Sequence, residues 1–182
     1  MDEKELEKII KEKKDYGSII RVEEISSGGM DGGYKKNILY IEKKQFVKES
    51  QMWQYSPLEV NKYNVDEDKL KAFLDYINKY NFPEWSKIKE DDEFQALDAP
   101  TTSITLYYKK DDIDNYYTIN YNIDISGKYN EIFREFINKF DNLIEDWYYV
   151  HIVIIYRSKK EMEVLEWVDI QNGLQFIEKK DY

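Results

Sequence analysis

The clearest periodicity in the chain follows Ser126-Gly127, where Tyr129, Ile132, Phe133, Phe136, Ile137, Phe140, Leu143 and Ile144 recur at steps of three and four, with charges between them. That spacing puts the apolar side chains on one stripe and predicts an amphipathic helix. A second stripe, Leu70, Phe73, Leu74, Ile77 and Tyr80, predicts a helix that stops before Asn81 and Pro83. Its start is read at Asn64-Val65-Asp66-Glu67, an amide cap with Glu three residues on, in preference to Ser56-Pro57-Leu58-Glu59. Alternation of apolar and polar positions over Thr101 to Lys110 and Tyr116 to Ile125 predicts two half-buried antiparallel strands, joined by the Asx-rich turn Asp111 to Asn115.

Two further β-type runs, Ser18 to Ile25 and Tyr34 to Lys43, flank the tip Ser26-Ser27-Gly28-Gly29-Met30-Asp31-Gly32-Gly33. A weaker run, Phe46 to Tyr55, is a third strand of this group. Tyr148 to Tyr156 is almost entirely apolar and reads as a strand covered on both faces, pairing with Met162 to Val168, with a last strand over Leu174 to Glu178. Residues 2–14 read as a short charged helix with only Leu6, Ile9 and Ile10 on its apolar face, enough to lean on a domain. The acidic connection 81–100 is held by Trp85, Phe94 and Leu97 as anchors. Strand-strand-helix thus occurs twice before a closing hairpin, which raises a duplication visible in element order alone. The expected fold is α+β: a two-layer sandwich of a mainly antiparallel sheet with helices on one face, plus the short N-terminal helix. Residues 1–16 form the helical appendage and residues 17–182 a single domain.

Charge sharpens this picture. The net charge is −10, and residues 90–146 carry 14 acidic and 5 basic side chains, while residues 1–89 carry 17 of each. An acidic surface without a basic stripe repels phosphates, so nucleic acid is excluded as a partner. The same face either steers a basic protein or serves only as a solvated surface. The longest apolar run falls well short of the roughly 20 residues that cross a bilayer, so no membrane partner is expected. The N-terminus lacks a secretory pattern, which makes a cytoplasmic location the expectation.

Candidate chemistry is narrowed by composition. The absence of Cys removes disulfides, thiolate metal sites and Cys nucleophiles. The one histidine, His151, lies in the most apolar run and reads as a core-edge residue rather than a general base. Asp112-Ile113-Asp114-Asn115-Tyr116 opens like a calcium loop but lacks its Gly and closing Glu, and the paired glycines of the tip open no helix, so neither a metal nor a cofactor is expected. The glycine tip is the most unusual local feature: Met30, Asp31 and Tyr34 read as an adaptable contact loop, with Asp91, Asp92 and Glu93 as a second, acidic contact segment. Asn120, Asn122 and Asp124 share one strand face and are the alternative ligand-binding set, suited to a sugar.

The glycine-rich tip before Tyr34, the run Asn81-Phe82-Pro83-Glu84-Trp85, and Leu97-Asp98-Ala99-Pro100 opening a strand resemble a group of small bacterial proteins and lipoprotein domains with a GGM-x-GG hairpin and no established reaction. The likeness spans about residues 18–145 and implies the same order of hairpin, helix, tryptophan-containing connection, strand pair and helix. This chain departs from it in the acidic Asp111 to Asn115 turn and in the strands after Tyr148. The expected function is a non-catalytic protein-interaction domain, of the kind in which acidic immunity and antitoxin proteins mask a basic partner. A carbohydrate or small-ligand binder is the second expectation, and a carboxylate-based hydrolase the third.

Overall fold

The computed structural model describes residues 3–12, 14–28, 32–53, 56–87, 101–121, 128–158, 161–170 and 173–181, and the side chains it describes lie at or before residue 144. In chain order the elements are α1 (Glu3–Lys11), β1 (Ser18–Ser27), β2 (Tyr34–Tyr40), β3 (Gln45–Gln51), β4 (Leu58–Val65), α2 (Glu67–Tyr80), α3 (Phe82–Trp85), β5 (Thr101–Lys110), β6 (Ile113–Tyr121), α4 (Lys128–Asp141), β7 (Ile144–Ser158), β8 (Glu161–Ile170) and β9 (Gly173–Asp181). Among the described residues nine strands form one sheet in the order β6-β5-β1-β2-β3-β4-β7-β8-β9. Every neighbouring pair is antiparallel.

Chain order explains that strand order. Strands β1 to β4 form a meander. The α2–α3 segment then carries the chain from β4 past the whole meander, so that β5 and its hairpin partner β6 add to the free edge of β1. Helix α4 carries it back, and β7 joins β4. Both helices therefore cross one face of the sheet and bury their stripes against it, the α+β architecture expected from the periodicity.

Local chemistry sets the boundaries. Helix α2 is capped by Asp66, whose carboxylate accepts from the Lys69 N–H at 2.9 Å, two residues after the expected cap at Asn64. The reason is β4, which the sequence reading lacked: Leu58–Val65 is paired with β3 on one side and β7 on the other, so Asn64 belongs to a strand. With four strands before α2 and two before α4, the expected repetition of strand-strand-helix is absent. Helix α2 ends at Asn81, which takes a left-handed φ of 52° and leads directly into α3. Pro83 is tolerated there in the first turn of α3.

The core lies between the sheet and the two long helices. Val22, Leu39, Phe46, Ile104 and Leu106 rise from the sheet to meet Phe73 and Ile77 of α2, Phe82 and Trp85 of α3, and Phe133, Phe136 and Phe140 of α4. Phe136 sits 5.1 Å from Phe73 and 4.7 Å from Phe82, ring centre to ring centre, and Phe140 sits 4.9 Å from Phe46. Trp85 is buried as the expected anchor, and its indole N–H donates to the Tyr80 carbonyl at 2.9 Å. Phe94 and Leu97 lie outside the described residues.

The N-terminal segment is fastened at α3. Glu84 is only 3% exposed and accepts from Lys87 at 2.6 Å, Tyr16 at 2.7 Å and Lys14 at 3.0 Å. Asn81 donates to the carbonyls of Ile9 and Glu12, and Ile9 and Ile10 pack against the core. A charge-assisted latch thus supplements a contact too small to hold α1 by apolar burial alone.

Candidate functional site

The two ends of the sheet differ in how their turns are built. At one end the β5–β6 connection is a two-residue turn, Asp111-Asp112, with φ of 51° and 62°. Lys110 already pairs with Ile113, so the five-residue turn expected over Asp111 to Asn115 is replaced by a tight hairpin, and β6 begins three residues before Tyr116. Positive φ at both central residues matches the right-handed twist of the strands.

The opposite end holds the strand ends that lead into the segments singled out as contact loops. Ser27, which leads into the glycine tip, pairs with Tyr34 on β2 and with Thr101 on β5, and Tyr34 pairs with Gln51 on β3. Thr101, Ser27, Tyr34 and Gln51 therefore form one cross-strand row about 14 Å long. Thr101 is the first described residue after 88–100, and Tyr121, the last before 122–127, sits beside this row opposite Thr102. Met30, Asp31, Asp91, Asp92, Glu93, Asn122 and Asp124 lie outside the described residues. Of the expected site residues, Tyr34 is half-buried within this row. Asn120 is exposed on β6, an edge strand of the sheet, opposite Ser103.

Next to that row stand two residues outside the expected site set. Met52 is 83% exposed and Trp53 is 47% exposed, at the start of the β3–β4 connection. Buried Ser56 organises the turn: its hydroxyl accepts from the Trp53 N–H at 3.1 Å and donates to the Trp53 carbonyl at 2.9 Å, while the Gln51 amide donates to the Ser56 carbonyl at 2.9 Å. This staple holds the Trp53 backbone inward and leaves its indole partly in solvent. The glycine tip approaches closely here. A Cβ on Gly33 would collide with the Met52 carbonyl oxygen and come within 2.8 Å of that of Gln51, so this position demands glycine. Both lie in the run Phe46 to Tyr55 expected as a strand, which ends instead at Gln51. Their exposure follows from the turn and not from the residue pattern.

Electrostatics at this end are mixed. Behind the row, the Ser26 and Thr102 hydroxyls share a hydrogen bond of 2.8 Å, and Asn37 donates to Glu24 at 2.7 Å. Burial pushes the Glu24 carboxyl up from its ordinary range, against the opposing Asn37 hydrogen bond. Among the described residues, no group of three His, Cys, Asp or Glu side chains is placed to hold a metal ion. Nor is any helix among them long and apolar enough to cross a membrane. No protein-family model matches this chain and no curated protein matches it, so the geometry carries the assignment of a function.

Proposed function

We propose that the protein is a non-catalytic interaction domain that binds a basic protein partner in the cytoplasm, in the manner of an acidic immunity or antitoxin protein. The observation that carries this reading is the sheet end where Met52 and Trp53 stand exposed beside Tyr34, in a row whose strands lead into both the glycine tip and the acidic 88–100 segment. Trp and Met are well suited to this role: an indole brings a large contact area with few rotatable bonds, and a thioether adapts to irregular surfaces. The acidic excess of residues 90–146 supplies a complementary sign for a basic partner and would speed its encounter.

The test is capture from lysate with three versions of the protein: wild type, Trp53→Asp, and Tyr116→Ala at the opposite end of the sheet. A stoichiometric basic protein that is lost with Trp53→Asp, kept with Tyr116→Ala and released by raised salt supports the reading. A captured protein whose binding ignores Trp53 and salt, or the absence of any captured protein, overturns it.

A further inference from the structure

The face of the sheet that carries the helices changes chemistry between adjacent cross-strand rows. The row Leu106, Val22, Leu39, Phe46 and Tyr63 is core. Two residues further along each strand, the next row reads Ile104, Glu24, Asn37, Lys48 and Asn61, and the register places His151 opposite Asn61. The row after that reads Thr102, Ser26, Lys35, Ser50 and Glu59. From β1 to β4 the helix side of the sheet is therefore a polar shelf two rows deep.

Its charges are mixed in sign: Lys35 lies diagonally across from Glu24, and Lys35 and Lys48 both act electrostatically on it without forming an ion pair. Glu24 and Lys48 are two strands apart with Asn37 between them, and Lys35 and Glu59 are two strands apart with Ser50 between them, in the reverse order. Two strand spacings are about 10 Å, too far for a direct ion pair between side chains standing up from the sheet. Among the described residues neither Lys35 nor Lys48 comes within ion-pair distance of a carboxylate. The Lys48 ammonium instead lies over the rings of Tyr63 and Phe46, 5.5 Å and 5.9 Å from their centres. The last residue of α4, Asp141, is close enough to Glu24, Lys48 and Lys35 to interact electrostatically with all three.

We propose that this shelf binds a small zwitterion of the amino-acid or dipeptide class, its carboxylate toward Lys48 and Lys35 and its ammonium toward Glu24 and Asp141. A neutral sugar would cover these groups without answering any charge, which is costly. A simple anion would meet Glu24 and Asp141, and a simple cation would meet the two lysines. A molecule carrying both signs complements both sets. This site is separate from the Met52–Trp53 surface, and either proposal stands if the other fails.

The experiment is calorimetric titration of the full chain with the standard amino acids and glycylglycine, with glucose as the neutral comparison. For the tightest zwitterion, the deaminated and decarboxylated analogues are then tested. Saturable binding of a zwitterion, weakened about tenfold or more by removing either charge and by Glu24→Gln or Lys48→Met, is the expected result. Tyr116→Ala, exposed at the far end of the sheet, should leave binding unchanged. Should either shelf variant fail to fold, ¹³C NMR of the Glu24 carboxyl in the wild-type protein decides, since a ligand ammonium beside it must shift its titration to lower pH. No binding of any zwitterion, equal binding of glucose, or an unmoved Glu24 resonance overturns the proposal.

Discussion

Phe46 and Lys48 lie two residues apart on β3, on the same face of the same sheet, yet one is fully buried under Phe140 and the other borders a polar shelf. The same contrast holds for Val22 and Glu24 on β1 and for Leu39 and Asn37 on β2. The apolar row belongs to one core cluster with side chains of α2, α3 and α4, and close packing is gained together with exclusion of water. One row further, amides, ammoniums and carboxyls replace them. A helix laid over that row would have to desolvate charges without supplying partners, so the apolar layer ends where the polar row begins. Stability and binding capacity thus occupy neighbouring rows of one surface.

The largest expected effect breaks the apolar row. Phe46→Ala removes a ring that packs on Phe140 and should cost about 3–5 kcal/mol in denaturant unfolding, whereas Lys48→Ala should change stability by less than about 1 kcal/mol. Equal losses at the two positions would mean that the shelf is part of the core.

A second pair of residues separates the two regions by pH. At the N-terminal latch, burial pushes Glu84 up, but hydrogen bonds from Lys87, Tyr16 and Lys14 outweigh it and bring the carboxyl from its ordinary 4.5 to about 2. Its ionised form is favoured by folding, so its contribution is complete above pH 4.5 and is lost as pH falls from there to about 2. Glu24 on the shelf is shifted the other way, chiefly by burial. Its contribution is complete below its ordinary 4.5 and is lost as pH rises through its raised folded value. Stability measured against pH should therefore lose part of its acid-side decline in Glu84→Gln and part of its decline above pH 4.5 in Glu24→Gln, the remainder resting with Asp15, which is lowered, and Asp141, which is raised. Glu84→Gln should also cost about 1–3 kcal/mol near neutral pH, because Lys14 and Lys87 lose their shared buried acceptor.

The smallest effect concerns the far end of the sheet. Asp112 holds a left-handed φ of 62° in a fully exposed turn, where an L-residue is disfavoured, and its ion pair with Lys109 at 3.2 Å is solvent-exposed and worth little. Asp112→Gly should raise stability by about 1 kcal/mol without affecting capture of a partner or binding of a zwitterion.

Much of the architecture was legible in residue order. The stripes of α2 and α4 and the alternation of Ile104, Leu106 and Tyr108 on β5 were readable because each element buries one continuous face, although on α2 the unmarked Tyr76 is buried while the marked Leu74 and Tyr80 are only partly so. Strand β4 escaped because its two faces carry similar chemistry. Glu59 and Asn61 extend the shelf on the helix side, while Lys62 and Asn64 alternate with them on the other, so no period of two stands out. The exposure of Met52 and Trp53 escaped for a different reason: it depends on the Ser56 staple, a turn geometry with no repeating signal.

The sequence by itself determined the class of fold, the two long helices with their buried faces, the closing strands and the acidic character, since all of these depend on periodicity or on a count of charges. Only the tertiary structure decided that β5 pairs with β1 and β7 with β4, and hence that residues as distant as Ser27 and Thr101, or Glu24 and Asn61, share a row. Strand pairing is a choice among partners whose backbones are chemically equivalent. It is settled by which arrangement lets α2 and α4 bury the same apolar row, and the contact surface and the polar shelf are consequences of that choice.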